Sequence, residues 1–481
     1  MGMVAGSLEI GFSHGSQMLW SGTYGMPHAK WILCLLGVTL QWLWVDGGYL
    51  EDNFPASVIE DAHLSTLQLL EKYKHPAEAH HVTTEDNYIL TLHRIARPGA
   101  QPVLLVHGLE DTSSTWIVMG PQSGLGYFLY GHGYDVWMGN VRGNRYSRGH
   151  QQLNANTDRA YWSFSWHEIG MYDLPAMIDG VLAKTGYEKL SYFGHSQGTT
   201  SFFVLASSRP EYNAKIHLMS ALAPVAFMAH VKAPLLGIAR VGMNMLGESL
   251  ELLPHSFVYL NQCMQSAGML KTCLRFYWQI VGKNREEFNM TMFPVVLGHI
   301  PGGCNVKQPV HFLQLRSSDR FCQYDYEAKE NQKIYGRSSP PDYRLERITA
   351  PIALYYGSND YLSAVEDVQR LAKLLPNVVE NHLYKKWNHM DMIWAISARH
   401  SIQPKMLEAM RYWESAAGAR EHAEATTSCV VEEETAEPVT EAATESPDDE
   451  KEVEVESGKE QEAARDENQQ QNADVESPSE D

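Results

Sequence analysis

A short segment around Ser196 combines a strand, a tight turn and a helix in a way that can activate a serine as a nucleophile. The apolar run Leu190–Phe193 leads into Gly-His-Ser-Gln-Gly (194–198), and helix-compatible residues continue through Ser207. A serine on such a strand-to-helix turn is exposed above the sheet, and glycine two positions to either side lets the backbones approach closely. The pattern predicts a nucleophile at Ser196, with a structural glycine-rich turn as the alternative.

The same five-residue pattern occurs a second time, at residues 11–15 around Ser13. That copy lies in a polar N-terminal extension and has no apolar strand of useful length before it. The prediction of a nucleophile at Ser196 therefore rests on the strand before it and the helix after it, and not on the five-residue pattern alone.

A nucleophilic serine needs a general base and a carboxylate that orients the base. Asp360 follows the apolar run Pro351–Tyr356, so it lies past the carboxyl end of a predicted strand, where open α/β sheets place site residues. His389 follows the last predicted strand, Val378–Tyr384, and completes the chain order Ser, Asp, His. Asp367 and Asp391 are rival carboxylates, but both fall within predicted helices, Asp367 within the helix-like run from Leu362 to Leu375.

Two backbone N–H groups are candidates for holding the oxyanion that forms in acyl transfer. The first belongs to Gln197, the residue after the predicted nucleophile. The second belongs to Leu109, because the buried-strand run Pro102–Val106 ends in a His-Gly turn that opens a loop there.

Six segments together carry a family resemblance that extends from about Asp61 to Tyr412. They are His107–Leu109, Trp137–Asn144, Tyr172–Ala176, Gly194–Thr199, Gly357–Asp360 and Asn388–Trp394. In this order and spacing they resemble the acid lipase family, which includes gastric lipase, lysosomal acid lipase and insect relatives. The resemblance implies an α/β-hydrolase fold, a mostly parallel sheet flanked by helices. It also implies a Ser196, Asp360 and His389 triad with Leu109 and Gln197 as oxyanion donors. The Gly-Asn-Val-Arg-Gly turn (139–143) is interpreted as structural.

Charge divides the chain into a nearly neutral body and an acidic tail. The formal net charge is −20, but residues 421–481 hold 22 acidic and 3 basic residues and account for −19 of it. The body therefore has no field that would attract nucleic acid. The tail, residues 419–481, is predicted to be disordered, because it cannot bury enough apolar surface to offset ordering. It is either dispensable or a docking segment for a basic partner or cations.

The N-terminal residues 1–48 are predicted to be an extension with a signal peptide. Lys30 precedes the largely apolar run Trp31–Val45, which suits a signal sequence and is shorter than a membrane span. Cleavage is expected near Gly47 or Gly48, with Met26 as an alternative start and an uncleaved signal anchor as the alternative outcome.

Four cysteines, Cys263, Cys273, Cys304 and Cys322, lie within one 60-residue window, and the residues alone allow three pairings. The family resemblance implies a Cys263–Cys273 disulfide. The single glycosylation sequon, at Asn289, lies in the same window.

A further strand is predicted at Ile216–Leu222, and residues from about 231 to 346 then interrupt the strand and helix alternation within the predicted domain, residues 49–418. Dense apolar runs, from Leu235 to Leu246, at Leu253 and from Met269 to Val281, predict buried helices. An insertion here would form a mainly helical cap with a mobile lid over Ser196.

The sequence thus predicts a secreted or lysosomal serine lipase that acts on long-chain acyl lipids at a lipid–water interface. It predicts no stable transmembrane span, metal or organic cofactor; His167-Glu168 lacks the second histidine of a zinc peptidase motif. A soluble esterase, acyltransferase or peptidase on the same fold is the alternative, and a non-catalytic lipid-binding relative is a third possibility.

Overall fold

The protein is built on a mixed, mostly parallel β-sheet. The computed structural model describes residues 48–233 and 249–415. The strands are β1 (Ala77–Thr83), β2 (Tyr88–Ile95), β3 (Pro102–Val106), β4 (Asp135–Gly139), β5 (Gly149–His150), β6 (Leu190–His195), β7 (Ile216–Leu222), β8 (Glu251–Leu252), β9 (Cys304–Asn305), β10 (Ile352–Gly357) and β11 (Val378–Tyr384). The main sheet has the order β1-β2-β4-β3-β6-β7-β10-β11, with β5 paired to β2.

Strands β4, β3, β6, β7, β10 and β11 pair in parallel, whereas β1, β2 and β5 add antiparallel pairs at one side. The central strands β3, β4, β6 and β10 are buried along their whole length. Their continuous apolar runs are typical of parallel strands that are covered by helices on both faces. Alternate residues of β3 enter two different apolar clusters, Leu104 in one and Leu105 in the other.

The described helices lie before, between and after the strands along the chain. They are α1 (Gly48–Asn53), α2 (Ala56–His63), α3 (Thr66–Lys72), α4 (Gly120–Ser123), α5 (Leu125–Gly131), α6 (Trp166–Glu168), α7 (Leu174–Thr185), α8 (Gln197–Ser208), α9 (Val258–Cys263), α10 (Ala267–Val281), α11 (Phe293–His299), α12 (Lys307–Ser318), α13 (Ala328–Tyr335), α14 (Val365–Leu374), α15 (Asp391–Trp394) and α16 (Ile402–Glu414). The fold class predicted from the sequence, α/β with a mostly parallel sheet, is confirmed.

Strands β3, β7 and β11 have the predicted bounds. The helix expected from Leu362 begins instead at Val365. The difference arises because an Asp360 carboxylate oxygen accepts hydrogen bonds from the Leu362 and Ser363 N–H groups, both at 2.8 Å. These bonds hold the chain in a turn before the helix begins.

The segment between β7 and β10 contains α9 to α13 and the short antiparallel pair β8–β9. Cys263 and Cys273 form a disulfide between α9 and α10, and Cys304 and Cys322 are free and buried. Asn289 is half-buried just before α11, and its side-chain oxygen accepts the Met292 N–H at 3.3 Å. The apolar run from Leu235 to Leu246 lies outside the described residues.

The prediction that all the apolar runs of this segment are buried was wrong for three residues. Leu253 lies outside any helix and is exposed, and Met269 and Phe276 lie on α10 but face outward. The buried side of α10 is formed instead by Leu270, Leu274 and Val281. The apolar composition correctly predicted a helix at α10, but the rest of the protein does not cover all of its apolar side chains.

Both ends of the chain fall outside the structural description. The predicted signal peptide, residues 1–48, is described only at Gly48, and the predicted tail, residues 419–481, lies outside the described residues. Among the described helices, none is long and apolar enough to cross a membrane.

Candidate active site

Ser196 is the single residue between β6 and α8, and its backbone conformation is strained. Its φ of 51° and ψ of −116° lie where residues with a side chain are rarely found. The Ser196 N–H donates to the Leu222 carbonyl of β7 at 3.0 Å, which anchors the turn to the neighbouring strand. Ser196 is half-buried, whereas the residues on either side are buried, so the turn presents this one side chain outward.

Two glycines make this turn possible. A Cβ on Gly194 would lie 2.8 Å from the backbone of Gly198, and a Cβ on Gly198 would lie 2.3 Å from the Val106 carbonyl oxygen. Both distances are far below contact, so the strand-to-helix turn and its close approach to β3 require glycine at these positions.

The loop after β3 lies directly against Ser196. A Cβ built on Gly108 would be 3.2 Å from the Ser196 Cβ. Within the described part of the chain, the N–H groups of Leu109 and Gln197 have no backbone acceptor. Gln197 is the first residue of α8, so its N–H is one of those that a helix leaves unpaired at its start. These two N–H groups, one in the loop after β3 and one at the start of α8, are therefore the candidates for binding an oxyanion.

His107 holds this loop in place. Its Nδ1–H donates to the Gly108 carbonyl at 2.8 Å, and its Nε2 accepts from the Asn144 side-chain amide at 3.0 Å. Burial lowers the pKa of His107 to about 4, so the ring stays neutral and keeps both roles.

The Gly-Asn-Val-Arg-Gly turn is a buried structural support. The Arg142 guanidinium donates to the Asp173 and Asp86 carboxylates, with Nε to Oδ1 at 2.7 Å and Nη1 to Oδ2 at 2.6 Å. Arg142 is almost fully buried, and both its partners are carboxylates, so the group is neutralised within the core.

Asp360 and His389 form a buried pair at the carboxyl end of the sheet. The His389 Nδ1 lies 2.9 Å from one Asp360 carboxylate oxygen and 3.1 Å from the other. The backbone N–H bonds from residues 362 and 363 hold the carboxylate in this orientation. Because Nδ1 is engaged by Asp360, Nε2 is the ring nitrogen left to exchange a proton with a substrate or a nucleophile.

The two rival carboxylates have other partners. Asp367 pairs with His230, whose Nδ1 lies 2.8 Å from Oδ1. Asp391 accepts hydrogen bonds from the Asn388 N–H at 2.7 Å and from the Asn284 side chain at 2.8 Å. Burial raises the pKa of Asp391 to about 6. Of the three carboxylates, Asp360 is the one that contacts His389.

His195 is a supporting residue that the sequence did not single out. Its Nε2–H donates to the His389 carbonyl at 3.1 Å, and the two ring centroids are 4.9 Å apart. Burial, together with the charge of His389, lowers the pKa of His195 to about 3. A neutral His195 therefore braces His389 without competing for its proton. Its place beside Ser196 in the motif was the signal that could have identified it.

The C-terminal end of α10 is tied to both loops that carry the pair. The His389 N–H donates to the Val281 carbonyl at 3.1 Å, and the Asn388 side chain donates to the Gly282 carbonyl at 3.0 Å. On the other side, the Asn359 side chain donates to the Lys283 carbonyl at 2.7 Å. The segment between β7 and β10 is therefore hydrogen-bonded to the loop that carries Asp360 and to the loop that carries His389.

A second contact joins this segment to the nucleophile turn. The Gln197 side-chain amide donates to the Gln308 side-chain oxygen of α12 at 2.6 Å, and both residues are buried. Helix α12 thus lies against the turn that presents Ser196. Among the described residues, no cluster of three or more histidine, cysteine or carboxylate side chains is arranged to hold a metal ion.

A half-buried serine on a strained turn follows β6, and a buried aspartate–histidine pair joins the loops after β10 and β11, at the same end of the parallel sheet. Together with the sheet order, this arrangement is that of an α/β-hydrolase. Two family models agree with it: the alpha/beta hydrolase fold matches residues 101–236, and the partial alpha/beta-hydrolase lipase region matches residues 66–120.

Known lipases resemble the chain over most of its length. Lipase 1 of Drosophila melanogaster is 46% identical over 359 residues, which are 74% of this chain and 81% of that protein. Gastric triacylglycerol lipase of Rattus norvegicus is 34% identical over 73% of this chain and 92% of its own length. Lysosomal acid lipase/cholesteryl ester hydrolase of Homo sapiens is 34% identical over 74% and 93%, respectively.

The chain therefore belongs to the acid lipase family of α/β-hydrolases. It is a carboxylic ester hydrolase, as the sequence predicted.

Proposed function

We propose that this lipase hydrolyses carboxylic esters of long-chain acyl lipids with Ser196 as the nucleophile, His389 as the general base and Asp360 as the orienting carboxylate. The observation that carries the proposal is the buried contact between His389 Nδ1 and Asp360 at 2.9 Å, on loops adjoining the strained Ser196 turn. An imidazole held this way directs its other nitrogen to the proton it must take.

In the first half of the reaction, His389 Nε2 accepts the Ser196 hydroxyl proton as Oγ attacks the ester carbonyl. The carbonyl oxygen becomes an oxyanion, which the Leu109 and Gln197 N–H groups stabilise. The tetrahedral intermediate then collapses, and His389 returns the proton to the departing alcohol. In the second half, water attacks the acyl-enzyme with His389 again as base, and the fatty acid leaves.

Asp360 acts by holding the imidazole and by stabilising the imidazolium that forms in both halves. Because its carboxylate accepts two backbone N–H bonds as well as the His389 contact, it is fully hydrogen-bonded in its buried position. A buried carboxylate with hydrogen-bond partners on both oxygens keeps its orientation through the reaction.

The lipid character of the substrate rests on the relatives and on the exposed face of α10. Met269 and Phe276 are seven residues apart and so lie two turns apart on one side of the helix, with 38% and 58% of their surfaces exposed. Lys271 and Arg275 are exposed on the same helix, which contains no acidic residue. A helix with an exposed apolar stripe beside basic residues suits docking on a lipid surface.

We propose that residues 231–346 form the cap of this enzyme and that α10 contacts the lipid surface from it. The contacts of Val281, Gly282 and Lys283 with the catalytic loops support this role, because they place the end of α10 beside His389. Docking through α10 would therefore bring the interface to the mouth of the site.

The test compares an emulsified long-chain triacylglycerol with a soluble short-chain ester. The wild-type enzyme should cleave the emulsion faster, and Phe276→Ser should lower the emulsion rate by up to ~10-fold, because burying the exposed part of the phenylalanine contributes about 1.4 kcal/mol. The rate on the soluble ester should stay unchanged in that variant, because the exposed Phe276 side chain takes no part in the proton transfers. Leu374→Ser, on α14, is the matched control, as Leu374 is 47% exposed.

Equal losses in the Phe276 and Leu374 variants would rule out α10 as the docking helix. Faster turnover of a soluble ester than of the emulsion would instead make the enzyme a soluble esterase. Preferred cleavage of peptide or thioester substrates would point to the other acyl-transfer chemistries of this fold.

We further propose that the enzyme is secreted or lysosomal. The apolar run from Trp31 to Val45 and the gastric and lysosomal relatives support this location. Sequencing the N-terminus of protein collected from a eukaryotic expression medium should find a start near residues 48–51. A membrane-bound product that retains Trp31 to Val45 would show an uncleaved signal anchor.

A further inference from the structure

Glu110, the residue after the proposed oxyanion donor Leu109, is held in an unusual conformation. Its φ is 60°, in the left-handed region that disfavours residues with a side chain. Its carbonyl accepts the Gly302 N–H at 2.7 Å, and one carboxyl oxygen, Oε1, accepts the Cys304 Sγ–H at 2.9 Å. The 302–304 segment therefore holds the loop that contains Leu109 and Glu110 through one main-chain and one side-chain hydrogen bond.

The carboxyl group of Glu110 is enclosed even though the residue keeps some exposed surface. Its second oxygen, Oε2, has almost no contact with solvent. The groups that face it are the Cys304 thiol, the Gly303 N–H, the Glu251 carboxylate of β8 and the Tyr259 ring of α9. Within the described ranges, no lysine, arginine or histidine pairs with Glu110; Arg148, the nearby cation, is paired with Glu251.

These surroundings favour the neutral acid. Burial raises the pKa of Glu110 to about 8, and the charge of Glu251 acts in the same direction, while the Cys304 and Gly303 hydrogen bonds oppose it. Burial also raises the pKa of the Cys304 thiol, so Cys304 remains an S–H donor. Glu110 is thus mostly uncharged at neutral and acidic pH and ionises around pH 8.

We propose that Glu110 is a positioning residue for the oxyanion hole, which holds the Leu109 loop against the 302–304 segment as a neutral acid and impairs catalysis when it ionises. This inference rests on the proposed function, because it needs Leu109 to bind the oxyanion. Ionisation acts through charge: an anion with no cationic partner, on the residue next to Leu109, opposes the negative charge that develops at the Leu109 N–H.

The test is the dependence of kcat on pH for a soluble butyrate ester, followed by pH-stat between pH 5 and 10. In the wild-type enzyme, kcat should fall by ~10-fold with a midpoint near pH 8, with little change in KM, because the charge acts on the transition state. Glu110→Gln keeps the size and an acceptor oxygen but cannot ionise. Its kcat profile should lose the decrease near pH 8, whatever its absolute kcat at pH 6.

The matched control is Asp111→Asn, on the neighbouring residue of the same loop. Asp111 is buried, and burial raises its pKa to about 7, but its carboxylate is bonded within its own loop, to the Thr112 N–H at 2.7 Å. This variant should keep the decrease near pH 8. Circular dichroism at pH 9 must show that each variant is folded.

Two further variants should move the midpoint in opposite directions. Cys304→Ala removes a hydrogen bond that favours the carboxylate, so the midpoint should move to higher pH. Glu251→Gln removes a repelling charge, so the midpoint should move to lower pH. A purely structural role for Glu110 would change stability and would leave these midpoints in place.

The result that overturns the inference is a Glu110→Gln enzyme with the wild-type decrease near pH 8. That outcome is distinct from failure of the proposed function, which would appear as retained activity in Ser196→Ala at every pH. If Ser196 is essential and the Glu110→Gln profile is unchanged, only the role of Glu110 is lost.

Discussion

Replacing Ser196 by alanine should lower the rate of ester hydrolysis by on the order of 10⁴-fold or more, with the protein still folded. The loss is large because no acyl-enzyme can form without the hydroxyl oxygen. The fold should survive because the change removes one atom from a half-buried side chain. The strained φ of 51° is as unfavourable for alanine as for serine, so the substitution adds no strain. Rates on a soluble ester and a thermal melt of the same preparation check both statements.

Ser13→Ala is the matched control, because Ser13 occupies the centre of the other Gly-x-Ser-x-Gly sequence. It should leave the rate unchanged. His389→Ala should be about as damaging as Ser196→Ala, and the double variant should be little worse than either, since the residues act as one unit. Losses that multiply in the double variant would mean that Ser196 and His389 work independently, contrary to the proposed mechanism.

Replacing Asp360 by asparagine should lower kcat by on the order of 10³- to 10⁴-fold. The amide has nearly the shape of the carboxylate, so the turn at residues 362 and 363 can keep its bonds. The amide carries no charge, however, and it can present an N–H to Nδ1, which favours the wrong tautomer of His389. Steady-state kinetics on a soluble ester measure the effect, and the loss should appear in kcat rather than in KM.

Asp367→Asn is the control that tests whether Asp360 or Asp367 is the carboxylate that orients His389. Asp367 is also buried, but its partner is His230, and the pair lies on α14 and the loop after β7. This variant should keep most of the activity. If it proved as damaging as Asp360→Asn, the assignment of the acid would have to be reconsidered.

The chain order of the proposed catalytic groups could be predicted because each follows a short apolar strand. A parallel sheet places the carboxyl ends of its strands at one edge, so residues after β3, β6, β10 and β11 must come near one another. The apolar runs that mark these strands are local features. For that reason the strand bounds of β3, β7 and β11 agree with the sequence, and the position of Ser196 between β6 and α8 does too.

The choice of Asp360 over Asp367 and Asp391 had a weaker basis in the sequence. Each of the three lies close to a predicted strand end or helix, and periodicity does not say which way a carboxylate points. The contact of Asp360 with His389 spans 29 residues, and that of His195 with His389 spans 194. Such contacts depend on how α10, α14 and the loops pack together, which no local pattern encodes.

What the sequence determined by itself is therefore the strands that precede the proposed catalytic groups, the serine turn with its glycines, and the family, because these depend on neighbouring residues and on ordered motifs. Only the tertiary structure decided which groups are partners and which surfaces are left uncovered. It paired Gln197 with Gln308 and Glu110 with Cys304, and it left Phe276 of α10 exposed. The physical reason is that burial and hydrogen bonding depend on what packs against a residue from distant parts of the chain, whereas apolar periodicity reports only that a residue could be buried.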